Sequence, residues 1–214
     1  DAVALDLPGF GAAPPPPEPW STADYATHVA AVLDDMGPKV VLVGHSFGGR
    51  VATHLAAAHP DRIAAQVLTG VPLLRPSTNG RRRPPAALRM AKALRRVGVV
   101  GEARVEQLRQ RYGSADYRRA RGVMRDVLVK AVNESYEGPL AAFPGPVELL
   151  WGADDDQAPV TVARAAEERC RHCHLVVLQE VGHFVPRDRP DAIVEAVNRH
   201  RPDPVVDAAT GDRP

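Results

Sequence analysis

Three polar side chains, far apart in the chain, are of the types needed to split an acyl bond. Gly44-His45-Ser46-Phe47-Gly48-Gly49 follows the apolar run Val40-Val41-Leu42-Val43 without a spacer, and Val51, Leu55 and Ala58 then recur at helical spacing. Gly-x-Ser-x-Gly between a strand and a helix is the pattern of a nucleophile elbow. A serine at the top of so sharp a turn needs a strained backbone, and glycines on both sides remove the Cβ atoms that would clash there. The helix that begins after Ser46 directs backbone N–H groups and partial positive charge toward a developing oxyanion, with the Phe47 amide as first donor. The plain alternative is a glycine-rich turn that only packs a helix on a strand.

A serine hydroxyl is a weak nucleophile near neutral pH, so it needs a base within hydrogen-bond reach and a group to orient that base. His183 lies in Val181-Gly182-His183-Phe184, just after the run Leu175 to Leu178. That places it beyond the C-terminal end of a predicted strand, where parallel sheets carry their sites; otherwise it is a surface-loop histidine. His45 falls inside the elbow turn, where a structural role is expected, and His28, His54, His59 and His200 fall on helices or their ends. For the orienting acid, Trp151-Gly152-Ala153-Asp154-Asp155-Asp156 follows another apolar run and offers three carboxylates where one is required.

The elements that must position these groups alternate. Short buried strands are predicted at 40–43, 63–68, 147–151 and 175–178, with the end of a further strand at 2–5. Helices are predicted from Ser21 to Met36, after the elbow, and over 160–170 and 190–199. Strands alternating with helices predict an α/β fold, a mainly parallel sheet flanked by helices. Between Pro72 and Pro144 the pattern changes to three predicted helices, near 86–97, 102–112 and 115–131, with no strand. Residues 81–130 hold 15 basic residues against Glu102, Glu106, Asp116 and Asp126, a net +11 that leaves −10 on the remainder of a chain whose total is +1. The organisation expected is a core of residues 1–71 and 145–200, an inserted helical cap over 72–144 roofing the pocket, and a flexible tail over 201–214.

Net charge near zero, from 27 basic and 26 acidic residues in 214, gives no support to bulk nucleic-acid binding. The Arg81-Arg82-Arg83 run has only Tyr112 and Tyr117 nearby for stacking on bases. Its basic surroundings read as solvated helix faces answering an acidic core, or as recognition of an anionic substrate or carrier. No run approaches the roughly 20 apolar residues of a membrane helix, so no membrane partner is expected. Cys170 and Cys173 are too few for a secreted disulfide framework, and with no signal peptide legible the cytoplasm is the expected location. Cys170-Arg171-His172-Cys173-His174 matches the haem-attachment pattern C-x-x-C-H, but at a helix-to-strand junction, where an incidental match or adventitious metal binding is the simpler reading. No cofactor or metal is expected. The chain opens on Asp1, directly in the apolar run Ala2-Val3-Ala4-Leu5, and reads as a fragment.

Taken together, these motifs resemble the α/β-hydrolase superfamily over nearly the whole length. Asp6-Leu7-Pro8-Gly9-Phe10-Gly11 is similar to the loop preceding the elbow, Val43 to Gly49 to the elbow, and Gly182-His183-Phe184 with Arg189-Pro190 to the histidine loop and final helix. Leu150-Trp151-Gly152 through Asp155 to Pro159 is similar to the acid loop, with the aspartate three after the glycine and four before the proline, and this resemblance selects Asp155 over the reserve, Asp154. Arg111-Tyr112-Gly113-Ser114 and Gly122-Val123-Met124-Arg125 resemble the cap of bacterial carboxylesterase-like members. The resemblance implies a serine hydrolase acting on a small carboxylic ester or related acyl compound, with Ser46 as nucleophile, His183 as base, Asp155 as orienting acid and Phe47 as oxyanion donor. The same scaffold also supports C–C bond hydrolysis and cofactor-free haloperoxidase chemistry. From a different class comes a truncated, non-catalytic ligand-binding relative. Family members carry earlier strands and a His-Gly loop supplying a second oxyanion N–H, neither of which this sequence shows, so a partial α/β-hydrolase fold is expected.

Overall fold

The computed structural model describes residues 2–74, 86–112 and 120–202. The chain forms two compact units, Asp1–Ser21 with Arg75–Glu134, and Thr22–Leu74 with Ser135–Pro214. The second carries the sheet. Its elements run α1 (Thr22–Ala30), a 3₁₀ turn (Ala31–Asp35), β1 (Val40–His45), α2 (Phe47–Ala58), a 3₁₀ turn (Pro60–Arg62) and β2 (Ile63–Thr69). After the first unit's helices α3 (Ala86–Arg96), α4 (Glu102–Tyr112) and α5 (Val123–Asn133) come α6 (Glu137–Ala142), β3 (Val147–Gly152), α7 (Val160–Glu167), β4 (Cys173–Leu178), α8 (Val185–Asp188) and α9 (Pro190–His200).

The four strands pair in parallel in the order β1-β2-β3-β4, with Val43 opposite Val67, Thr69 opposite Leu150 and Leu150 opposite Val176. Parallel pairing sends all four C-terminal ends to one edge, which is what lets loops distant in sequence meet there. Every residue of β3 is buried, and so is β2 but for Ala64. β1 departs from the expected burial on both faces: among the described residues it pairs only with β2, and Val43 stays 51% exposed. An edge strand lacks a neighbour to cover its outer side. Val67, Leu150 and Leu178 form one core cluster with Val181, Val185, Ala192 and Ala196, so α8 and α9 fold back on the sheet.

In the first unit Ala91 and Val105 pack with Val100 and Leu108, holding α3 against α4. Arg95 pairs with Glu102 at 2.7 Å and Arg125 with Glu106 at 2.6 Å. The strand expected at 2–5 is absent: these residues lie in the unit that carries no strand among its described residues, and Val3 and Leu5 are exposed. Of the helix expected over 115–131 the described part runs Val123–Asn133, after Gly122 at φ +52°; residues 113–119 lie outside the described residues, as do 203–214 of the predicted tail. The helix expected to run to Met36 tightens into 3₁₀ form after Ala30. α6 has no counterpart in the sequence reading because Gly138 and Pro139 argue against a helix. Pro139 is the third residue of α6, within the first turn, where its missing N–H has no helical partner to lose. Among the described residues no helix is long and apolar enough to cross a membrane.

At the N-terminal end of β3, away from the strand ends that carry His45 and Gly152, Glu148 is buried and gathers three basic side chains. His174 Nδ1 lies 2.9 Å from Oε2, His200 Nε2 2.8 Å from Oε1, and Arg199 Nη2 donates to Oε2 at 3.2 Å. Burial pushes the carboxyl up, but the bonds from His174, His200 and Arg199 together outweigh it and hold the group at about 2, against 4.5 ordinarily. A depressed carboxylate contributes stability that is complete above the unfolded value and is lost as pH falls from there through the folded one. Between pH 4.5 and 2 the parent is therefore expected to lose on the order of 3 kcal/mol from this group alone. Urea unfolding of parent and Glu148→Gln at pH 6 and pH 3 checks it: equal acid losses in the two proteins would rule it out.

Candidate active site

Ser46 joins β1 to α2 at φ 48°, ψ −112°, one of two non-glycine residues with positive φ among those described. Such a backbone costs about 1–3 kcal/mol and persists only where its surroundings enforce it. Here the Ser46 amide donates to Thr69 O at 2.9 Å, tying the turn to the end of β2. A Cβ on Gly44 would stand 2.5 Å from Gly49 Cα, and one on Gly49 would stand 2.2 Å from Val71 Cγ2. A Cβ on Gly48 would meet nothing within 4 Å. The glycines that make room are thus Gly44 and Gly49, which corrects the expectation that Gly48 does so. Phe47 opens α2, and its ring meets the buried Tyr25 edge-on, with centroids 5.1 Å apart.

Of the three aspartates only Asp155 is buried; Asp154 and Asp156 face solvent. Its Oδ1 accepts from the Gln157 amide at 2.9 Å and the Ala158 amide at 2.7 Å, and its Oδ2 lies 2.8 Å from His183 Nδ1. The loop is held by Trp151, whose indole N–H donates to Ala158 O at 2.6 Å. Gly152 has no room for a side chain, since a Cβ would lie 2.2 Å from Gly182 O, and this close approach brings the acid and histidine loops together. Val181 and Val185, two residues either side of His183, are both buried in the core cluster. Fully burying a side chain of that size is worth about 1.5–3 kcal/mol, enough to anchor the loop between them. With Nδ1–H directed at a carboxylate, the lone pair of the neutral imidazole is left on Nε2, the tautomer a general base requires.

Two further residues meet the imidazole that sequence reasoning did not assign to the site. His45 Nδ1 lies 2.9 Å from Thr69 Oγ1 and 3.1 Å from Thr69 O. The His45 ring packs on that of His183 with centroids 4.8 Å apart, beyond the structural role in the elbow expected for it. Gly70, at φ +58°, is the second: a Cβ there would lie 2.9 Å from His183 Nδ1 and 3.2 Å from Asp155 Oδ2. The signal was a glycine ending the strand next to the elbow strand. Gly70→Ala is expected to lower any turnover that depends on the His183–Asp155 contact at least tenfold, because small misplacements of reacting groups are costly, and to destabilise the fold by about 1–2 kcal/mol. Paired kinetic and thermal-unfolding measurements test this; activity within twofold of the parent would show that the ring tolerates displacement.

Asp155 and His183 are thus brought into direct contact. Ser46 reaches them through its neighbours: its amide and the His45 ring share Thr69 O, and the His45 ring lies tilted at 54° against that of His183. Among the described residues no hydrogen bond joins the Ser46 hydroxyl to His183. Bonds of this kind commonly tighten only when substrate binds.

Comparison with known proteins places this arrangement in context. A family model described as "Alpha/beta hydrolase family" matches residues 1–196. Lipase LipV of Mycobacterium tuberculosis is 53% identical over 67 residues, covering 31% of this chain and 25% of that protein. The dihydrolipoyllysine-residue acetyltransferase component of the acetoin cleaving system of Pseudomonas putida is 27% identical over 201 residues, covering 89% of this chain and 53% of that protein. The chain therefore spans about a quarter to a half of the length of these curated relatives. Among solved structures, a thermophilic esterase from Thermogutta terrifontis superposes with a TM-score of 0.60 at 22% identity, covering 90% of this chain and 76% of the other. The 2-hydroxy-6-oxo-6-phenylhexa-2,4-dienoate hydrolase of a Rhodococcus strain gives 0.62 at 23% identity, covering 91% and 77%. At these identities the likeness is one of fold.

Proposed function

The chain belongs to the alpha/beta hydrolase family, and from that premise we propose that it is a serine hydrolase of small carboxylic esters or related acyl compounds. The observation that carries the reading is the buried His183–Asp155 contact of 2.8 Å at the same sheet edge as the elbow serine with φ 48°. In this mechanism Ser46 Oγ attacks the acyl carbonyl as His183 Nε2 takes its proton. Asp155 holds the imidazolium that forms, and the Phe47 amide at the start of α2 donates to the oxyanion. The tetrahedral intermediate collapses, His183 returns the proton to the leaving alcohol, and water repeats the sequence on the acyl-enzyme. No step calls for a metal or organic cofactor. In this reading residues 72–144 form the cap, and their basic surface favours substrates or carriers with negative charge.

A fluorophosphonate probe tests the nucleophile without knowledge of the substrate, because it phosphonylates only a serine activated in this way. Mass spectrometry is expected to find one adduct, on the peptide holding Ser46, and none after Ser46→Ala. Folded protein that stays unlabelled while hydrolysing no p-nitrophenyl ester would favour a ligand-binding relative instead.

A further inference from the structure

Cys170 and Cys173 are joined by a disulfide, where the sequence reading finds them too few for a secreted disulfide framework and assigns no pairing. With each sulfur bonded to the other, neither is a thiolate for a metal nor a thiol for haem attachment, so the C-x-x-C-H match takes on another meaning. We propose that this pair is a redox site, cycling between disulfide and dithiol by exchange with a small anionic thiol that docks in the cleft beside it.

Three observations bear on this, none of them involving Ser46, Asp155 or His183. The first is that the turn between α7 and β4 is held by backbone hydrogen bonds as well as by the S–S bond. Cys170 N donates to Glu167 O at 3.3 Å, Cys173 N to Cys170 O at 3.4 Å, and the Val147 amide to His172 O at 2.8 Å. Only two residues separate the cysteines, so the bond restricts the unfolded chain far less than one closing a long loop. Opening it leaves the backbone bonds in place.

The second is a cleft of about 340 Å³ lined by Cys170, Arg169, Arg171 and His172 on one side and by the segment from Leu140 to Pro144 on the other. That volume lies in the range of small-molecule sites. Cys170 itself is 8% exposed, so an attacking thiol reaches it from this cleft or hardly at all.

The third is charge. Arg169, Arg171 and His172 line the cleft and no carboxylate does; Arg169 pairs with Glu137 at 3.5 Å, which leaves Arg171 as the charge the cleft offers. The nearby acids are engaged or turned elsewhere: Glu167 accepts from the Leu175 amide at 2.9 Å, Glu137 meets Arg169 at the surface, and Glu148 holds His174. Glu168 is exposed. A thiol bearing carboxylate or sulfonate is therefore drawn in, and a cationic one repelled. Cys173, at the start of β4 and less buried than Cys170, is the better solvated leaving group.

The exchange balances as follows. A thiolate R–S⁻ attacks Cys170 Sγ, an R–S–Sγ bond forms, the Sγ–Sγ bond breaks, and its electron pair leaves on Cys173, which takes a proton from solvent. A second R–S⁻ attacks the sulfur of R, frees Cys170 as a thiolate that is protonated in turn, and releases R–S–S–R. Two thiols are oxidised to one small disulfide while the protein disulfide is reduced to a dithiol.

The full chain is equilibrated, folded, across ratios of reduced to oxidised glutathione, acid-quenched and alkylated for intact-mass analysis. Both thiols are expected to appear together as the ratio rises and to vanish together when it falls, and Cys173→Ser is expected to trap glutathione on Cys170. Reduction by 2-mercaptoethanesulfonate is expected to run about tenfold faster than by cysteamine at equal thiolate concentration, and Arg171→Glu to erase that ratio. A disulfide that stays closed in folded protein under ~10 mM reduced glutathione would overturn the proposal, as would equal rates with the two charged thiols. Should Cys173→Ser fail to fold, the parent's titration and rate ratio still decide. Loss or retention of ester hydrolysis has no bearing on either readout.

Discussion

Ser46→Ala is expected to lower kcat on p-nitrophenyl butyrate by about 10⁴- to 10⁶-fold, the range seen when a triad nucleophile is removed and only oxyanion stabilisation and binding remain. The fold is expected to survive. The hydroxyl has no hydrogen-bond partner among the described residues, so its removal leaves no buried group unpaired, and alanine at φ 48° is strained no more than serine. Ser46→Gly sharpens the test in the opposite direction. Glycine adopts positive φ freely, so this variant is expected to be as inactive as Ser46→Ala yet more stable than the parent by about 1 kcal/mol. Activity lost together with stability gained would mark Ser46 as a residue held in strain for its chemistry. A kcat within tenfold of the parent in either variant would remove Ser46 from the nucleophile's role.

How far such a site can be read without coordinates depends on whether its parts are local. The elbow is local: a β-branched run, a Gly-x-Ser-x-Gly turn and a helical repeat sit within twenty residues, and strand, turn and helix appear where the spacing predicts them. The choice among Asp154, Asp155 and Asp156 is not local. The three are chemically identical in sequence, and what separates them is a loop conformation that turns the Gln157 and Ala158 amides onto Asp155 and buries it against His183. Resemblance to a family pointed to Asp155; composition and spacing left three candidates. Gly70 is legible only as a glycine that ends a strand, since the imidazole that leaves no room for a Cβ there lies 113 residues later in the chain. Apolar runs likewise indicate strands without saying how many neighbours they have, so β1 at the edge and the central β2 looked alike. The run Ala2 to Leu5 looked like both and pairs with neither.

The orienting role proposed for Asp155 makes a prediction that its burial alone does not. Asp155→Asn is isosteric, and the Gln157 and Ala158 amides compel the new side chain to keep its oxygen toward them. Its NH₂ group then faces His183 Nδ1, a donor where the parent has an acceptor at 2.8 Å. Two donors cannot share that contact, so the imidazole must move its proton to Nε2 and present N–H, not a lone pair, on the side the serine hydroxyl needs. The expected result is a fall in kcat of about 10³- to 10⁴-fold with little change in KM, in a protein that unfolds within about 1 kcal/mol of the parent, because every hydrogen bond is replaced. Asp154→Asn, at an exposed position of the same loop, is expected to stay within twofold. Comparable losses in the two variants would mean that the acid loop acts through its general charge. A large loss confined to Asp155→Asn, without a matching loss of stability, ties catalysis to the tautomer that Asp155 enforces.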